Sequence, residues 1–263
     1  MAPTPVPSTG DASGAHDPEA VTGSAGGGPE GRRALAIGAH PDDIEFGAAG
    51  TIARWVDEGW DVRYVIVTSG QKGVQDAASD PEAFGRVREA ESVAAARAVG
   101  VTDVTFLRYM DSEVATADWL GLRRDLSRQF RRHRPHRLLA ANPEILPTDR
   151  FVNHPDHRAV ATAALDITMT GGTTAAIFPE LETEEGLPPW RDLEETWLSG
   201  GAGGSEVVDV TATFARKVAA LRAHVSQVGD WDVEGFVGAR LAERGRAHGY
   251  DYAESFRVIS YRR

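Results

Sequence analysis

The sequence predicts an α/β fold: a doubly wound, mainly parallel sheet followed by a C-terminal extension of short strands and helices. Three observations carry this prediction. Short apolar runs bounded by Gly or polar residues recur at 34–38, 62–68, 104–108 and 137–141, and such runs suit strands buried on both faces. The stretches between them are long enough for helices of ten or more residues, the spacing of βαβ units with right-handed crossovers. The polar residues that could carry chemistry fall just after the strands, at the edge where open α/β sheets bind ligands.

Taken in order, residues 1–31 are rich in Gly, Pro, Ser and Ala with almost no large apolar side chain. Such a segment buries too little surface to offset its ordering entropy, so 1–31 is expected to be a disordered tail and 32–263 a single domain. After the strand at 34–38, a helix is expected from about 45 to 58, with Ile52, Trp55 and Val56 on one face and Gly59 as its stop. Residues 62–68 form the next strand and 69–79 a polar loop. Asp80 as cap and Pro81 at the first helical position open a helix that runs to Val99 and stops at Gly100. Residues 104–108, 118–133 and 137–141 read as strand, helix and strand, and a further helix ends near Met169. Beyond it, 170–174 and 200–204 read as loops, and 195–198 and 206–210 as added strands. Residues 213–227 read as one amphipathic helix with Phe214, Val218, Leu221 and Val225 packed into the core, and 234–247 as the last helix.

The 263 residues carry a net charge of −11. A nucleic-acid binder needs a basic surface to neutralise phosphates, so this class is excluded. The basic cluster Arg131-Arg132-His133-Arg134 sits at the end of an expected helix, where it complements the dipole or stays solvated. No apolar run is long enough to span a membrane. No basic and apolar leader is visible, which favours the cytoplasm. Lys72 and Lys217 are the only lysines, and this bias is given no functional weight. The chain has no cysteine, so any metal must be held by His and carboxylate.

Two segments stand out. Ala39-His40-Pro41-Asp42-Asp43 follows the first strand, and His154-Pro155-Asp156-His157 follows the fourth. Asp and Pro at a helix start explain one carboxylate. They do not explain a His with two adjacent carboxylates, whose mutual repulsion asks for a cation. His40 and Asp43, three positions apart, can face one point, with Asp42 within reach of a water there. His154 and His157 are also three apart. Two His and one carboxylate leave open metal positions, the mark of a catalytic centre. Zn²⁺ would lower the pKa of water toward about 7 and polarise a carbonyl. Asp42 would be the base, and whichever His is not a ligand would stabilise an oxyanion or protonate a leaving amine.

These two segments, together with Leu221-Arg222-Ala223-His224-Val225-Ser226-Gln227, resemble the PIG-L/LmbE-type zinc-dependent N-deacetylases over roughly residues 33–262. The resemblance implies a Rossmann-like fold and removal of the N-acetyl group from a small-molecule amino-sugar substrate of the N-acetylglucosamine type. It implies His40, Asp43 and His157 as ligands of Zn²⁺ or another divalent metal such as Fe²⁺, Asp42 as general base, His154 as acid or oxyanion stabiliser, and Asp156 as the orienting partner of His154. Arg88 and Asp111 match its sugar-contacting Arg and Asp, Gln71 stands where many members have Glu, and His224 with Gln227 is placed beside the site. Without the resemblance, Arg88 would read as a solvated helix face paired with Glu89 or Glu91. Some members carry Tyr-Gly where this chain has Val152-Asn153. His16, His133, His136 and His248 are left as surface residues.

An amidase acting on a thiol-conjugate amide is the alternative within the same family. Two His and one carboxylate also form the facial triad of non-haem Fe(II) oxygenases, but that chemistry needs no base at Asp42. A non-catalytic binding module would not need the whole set.

Overall fold

A computed structural model describes residues 31–74, 78–144, 147, 152–200 and 204–261. Residues 1–30, nearly all of the expected tail, lie outside the described residues. Seven strands form one sheet: β1 (Arg33–Gly38), β2 (Asp61–Thr68), β3 (Asp103–Tyr109), β4 (Arg137–Ala141), β5 (Glu195–Ser199), β6 (Glu206–Asp209) and β7 (Ala253–Ser260). Their order across the sheet is β3-β2-β1-β4-β5-β7-β6. The first five are mutually parallel, and β7 runs antiparallel between β5 and β6.

The alternation of side chains along the central strands builds two cores. Ala34, Ala36, Tyr64 and Ile66 face one way, with Ile52 of α1 (Asp43–Asp57) and Ala95 of α2 (Pro81–Ala98). Leu35, Ile37, Val65 and Val67 face the other, with Leu122 and Phe130 of α3 (Trp119–His133) and Ala163 and Ile167 of α4 (Pro155–Met169). Strands with both faces covered read as continuous apolar runs. The crossover helices therefore change face between α2 and α3. The chain order reverses between β1 and β4, so their carboxyl ends form the topological switch point where such sheets bind ligands. The helix starts follow the expected capping: Asp80 accepts from the Glu82 N–H ahead of Pro81, and Asp118 from that of Leu120.

Several expectations are corrected. The helix expected over 213–227 is two pieces, α6 (Phe214–Arg222) and the short α7 (Val225–Val228). His224 turns into the interior at the break, while the Ser226 N–H and hydroxyl both donate to the Glu91 carboxylate. This re-aims the segment, and Val225 is 65% exposed instead of packed in the core. A one-turn helix, α5 (Glu180–Thr183), and the last helix, α8 (Val233–Arg246), complete the described helices of α type. Strand β7 was not expected, because the buried Glu254 interrupts its apolar face.

Arg131 is not a dipole complement in solvent. It is fully buried, and its guanidinium donates to the carbonyls of Gly171, Thr174, Ile177, Phe178 and Leu187, pinning the loop that follows α4. His133 is buried too, with Nε2 3.0 Å from the Ala34 carbonyl, and burial lowers its pKa to about 3. Lys217 is buried against Glu254 at 2.8 Å. Its Nζ also donates to the Glu45 and Phe46 carbonyls, while Glu254 accepts from the Gly50 and Thr51 N–H groups. The Phe46 carbonyl and the Gly50 N–H are ordinary i,i+4 helix partners. The ion pair is thus wedged into the hydrogen-bond ladder of α1 just after the turn that carries Asp42 and Asp43.

Candidate active site

The β1–α1 turn and the start of α4 meet at the switch point. Asp42 sits there at φ 97, in left-handed backbone that a non-glycine residue adopts only under constraint from its surroundings. Beside it, Asp43 Oδ2 accepts from the N–H groups of Ala39 (3.0 Å) and His40 (2.8 Å). This fixes the carboxylate, and its Oδ1 lies 3.0 Å from His157 Nε2. His40 Nδ1 is 3.1 Å from the same His157 nitrogen and 3.6 Å from Asp43 Oδ2.

These groups are of the right kind and spacing to hold a metal. A tetrahedral site with metal–donor bonds of 2.0–2.1 Å has donor–donor edges of roughly 3.3–3.4 Å; the two imidazole nitrogens are 3.1 Å apart, and the Asp43 carboxylate approaches His157 through Oδ1 at 3.0 Å and His40 through Oδ2 at 3.6 Å. The far nitrogen of each imidazole is engaged so that the near one offers a lone pair. His157 Nδ1 donates to Asn153 Oδ1 at 3.1 Å. His40 Nε2 lies 3.1 Å from Asp111 Oδ1 and 3.3 Å from Asp156 Oδ2. Such outer partners set ligand tautomer and raise basicity. His154 adds a third imidazole, with its ring centroid 5.0 Å from that of His40 and 5.4 Å from that of His157. One nitrogen from each of the three rings falls within a 4.8 Å cluster.

The electrostatics point the same way. Burial opposes a charge on His40, but Asp111, Asp156 and Asp43 push its pKa up to about 11, so the spot attracts positive charge. Burial would raise Asp43, but His157 and His40 hold it well below the usual carboxylate range. Asp42 is pushed up to about 7 by burial and by Asp43, against the pull of Arg88 and His224. A carboxylate titrating near neutrality is suited to general base catalysis. His154 Nδ1 accepts from the Asp156 N–H, which leaves the ring proton on Nε2. Burial and the neighbouring His40 lower its pKa.

The other expected residues lie around this centre with altered partners. Asp156 meets His154 through its backbone N–H; its carboxylate accepts from Ser112 and Val114 N–H and faces His40. Asp111 is buried, also faces His40, and accepts from the Lys72 N–H. Burial opposes ionisation of Asp111, but His40 and the Lys72 N–H bring its pKa to about 2. Arg88 is no solvated helix face. It is 4% exposed and donates to the Gly70 and Pro41 carbonyls and, at 3.1 Å, to Asp42 Oδ2. Gln71 donates to the Tyr109 carbonyl. His224 is fully buried with Nε2 3.4 Å from Glu45 Oε2, and Gln227 Oε1 faces Gly73 next to Arg88. Asn153 and Glu45 were missed. Asn153 could have been found as a polar residue one helical turn ahead of His157; Glu45 has no local signal.

The family model for PIG-L, GlcNAc-PI de-N-acetylase, matches residues 35–168. The chain belongs to the PIG-L family. It is similar to a 1D-myo-inositol 2-acetamido-2-deoxy-alpha-D-glucopyranoside deacetylase of Mycobacteroides abscessus, at 32% identity over 75% of this chain and 82% of the relative. It is also similar to the diacetylchitobiose deacetylase of Thermococcus kodakarensis, at 26% identity over 87% of this chain and 83% of the relative. Among solved structures, the N,N'-diacetylchitobiose deacetylase of Pyrococcus horikoshii, complexed with its inhibitor MPG, superposes with a TM-score of 0.79. That match has 29% identity and covers 87% of this chain and 84% of that one. The PIG-L match spans both the His40–Asp43 turn and the start of α4, while the β5–β7 half of the sheet lies beyond it. No described helix is long and apolar enough to cross a membrane.

Proposed function

We propose that this protein is a zinc-dependent N-deacetylase that hydrolyses the acetamide of an N-acetylglucosamine-containing small molecule or glycoconjugate. The observation that carries this reading is the convergence of His40 Nδ1, His157 Nε2 and the Asp43 carboxylate at 3.0–3.6 Å, beside an Asp42 carboxylate held by Arg88 at 3.1 Å. The relatives named above, which act on acetylated amino sugars, support the substrate class.

His40, Asp43 and His157 would hold the cation. When bound, Zn²⁺ supplies Lewis acidity, acidifying a water and polarising the acetamide carbonyl. Asp42 accepts the water proton as the water oxygen bonds to the acetyl carbon. Arg88, through Asp42 Oδ2 and the Pro41 carbonyl, keeps that carboxylate on its strained turn. The His154 Nε2–H donates to the developing oxyanion. Asp42 delivers the water proton to the nitrogen as the C–N bond breaks, the free amine leaves, and the acetic acid formed ionises to acetate with its proton passing to solvent. Asp111 and Asp156 hold His40, and Asn153 holds His157.

The test is acetate release from N-acetylglucosamine and its glycosides by the metal-loaded protein. Asp42→Asn should keep the metal and lose about 10²–10⁴-fold in kcat, the usual scale of general base catalysis. Near-normal turnover by that variant would refute the assignment of the base.

A further inference from the structure

The start of α1 reads Asp42-Asp43-Ile44-Glu45, an acid at the cap position with Glu three residues later. As a sequence this is an ordinary helix start and nothing more. Asp42 would accept from the Glu45 N–H, and the Glu45 carboxylate would reach back to the Asp42 N–H, closing a capping box. The structure holds both halves of that box open. Four of the described α-helices begin behind an aspartate. Asp80, Asp118 and Asp232 sit at φ −74, −59 and −71, and each accepts from a first-turn N–H. Asp42 sits at φ 97 and its side chain caps nothing. Its Oδ2 accepts from Arg88 at 3.1 Å instead. Glu45 is fully buried, with Oε2 3.4 Å from His224 Nε2. Among the described residues, neither Glu45 oxygen has a hydrogen-bond partner, so this imidazole is what faces the buried charge.

Both restraints are anchored on α2. Arg88 leaves it toward Asp42, and Glu91 accepts from the Ser226 N–H at 2.8 Å and from its hydroxyl at 2.6 Å, fixing the break after α6 that turns His224 inward. A closed box needs its cap residue in extended backbone. Closing it would therefore turn Asp42 out of the left-handed region and swing its carboxylate from Arg88 to the Glu45 N–H. That change would relieve the left-handed backbone and gain a cap, so the open form persists only while both side chains are held elsewhere. We propose that His224 is a positioning residue: by holding Glu45 it keeps the box open and leaves the Asp42 carboxylate aimed at the reacting water. This rests on the deacetylase reading above. His224 itself is fully buried and acts through Glu45 and the turn, without touching substrate.

The experiment measures kcat and KM for acetate release from the methyl glycoside of N-acetylglucosamine by the zinc-loaded full chain, with folding and metal content verified in each variant. His224→Leu strands the Glu45 carboxylate, which then turns to the Asp42 N–H. It should lower kcat about tenfold or more with KM nearly unchanged, as expected when fewer than about one molecule in ten keeps the box open. His224→Gln can still donate to Glu45 and should retain most of kcat. Glu45→Met on the His224→Leu background removes the group that closes the box and should bring kcat back to within about threefold of the native chain. The crystal structure of His224→Leu should show Asp42 at negative φ with its carboxylate on the Glu45 N–H. Native kcat in His224→Leu, Asp42 still at positive φ there, or a double variant as slow as the single would each overturn the proposal. If His224→Leu does not fold, Glu91→Ala decides: it frees Ser226 and leaves His224 in place, and it should lower kcat by about two- to fivefold at unchanged KM. No change in kcat would overturn the proposal. No acetate from the native chain would refute the deacetylase reading itself, and the backbone of Asp42 in these variants would still decide whether His224 holds the turn.

Discussion

Replacing Lys217 with Met removes one half of the ion pair wedged into α1. Lys217 and Glu254 are 1 and 2% exposed in their side chains and 2.8 Å apart. Without the ammonium, the Glu254 carboxylate stays buried with only the Gly50 and Thr51 N–H groups to offset its charge, and the Glu45 and Phe46 carbonyls lose a donor. Breaking a buried pair from one side costs about 3–5 kcal/mol, mostly because the remaining charge is uncompensated. In a domain of this size each kcal/mol moves Tm by about 2–4 °C, so a fall of about 6–20 °C is expected. Thermal unfolding followed by circular dichroism, with urea titration for the free energy, reads this directly. Glu254→Gln on the Lys217→Met background should recover a large part of the loss, because the stranded charge is gone. A Lys217→Met protein within about 1 kcal/mol of the parent, or a double variant as unstable as the sum of the singles, would refute the argument that charge burial dominates here.

Three further outcomes are expected. His157→Ala should lose the metal in elemental analysis, whereas Asn153→Ala should keep the ligand set and weaken metal affinity about 10–100-fold; full occupancy in His157→Ala would refute the ligand set. His133 is held neutral with a pKa of about 3 against 6.5 in the unfolded chain, so its contribution is complete above about 6.5 and is lost as pH falls toward 3. The slope is about 1.4 kcal/mol per pH unit, and His133→Gln should flatten the pH dependence of unfolding between about pH 6 and 5 by close to that amount. Arg131→Met should cost on the order of 3 kcal/mol by leaving buried carbonyls unpaired, and hydrogen exchange should quicken first in residues 171–187, the loop those carbonyls belong to.

The parallel half of the sheet was legible because each strand is buried on both faces and its residues carry that signal locally. The two motifs were legible as one candidate site because adjacent carboxylates with histidines make little sense as turns alone. What escaped the sequence depends on partners far away in the chain. Nothing near Arg131 shows that carbonyls of 171–187 will surround it, and nothing near Lys217 announces a glutamate 37 positions on. The same holds for β7, whose buried Glu254 looks like a break in the apolar pattern until its partners on α1 are known. Within the site, the motif residues were legible but their mutual roles were not. That Asp111 and Asp156 both turn to His40, and that Asp156 meets His154 through its backbone, is set by where β3 ends and α4 begins relative to β1.

The wedge in α1 also bears on how the molecule is made. Glu254 grips backbone groups that precede it by 204 and 203 positions. At a synthesis rate of about 5–20 residues per second, the turn bearing Asp42 and Asp43 emerges roughly 10–40 s before the carboxylate that secures the helix behind it. During that interval the β1–β4 half can pair while α1 still lacks its internal clamp. The turn bearing Asp42 and Asp43 is therefore among the first parts of the described domain to be synthesised, while the helix behind it gains its buried ion pair only when the C-terminal strand arrives.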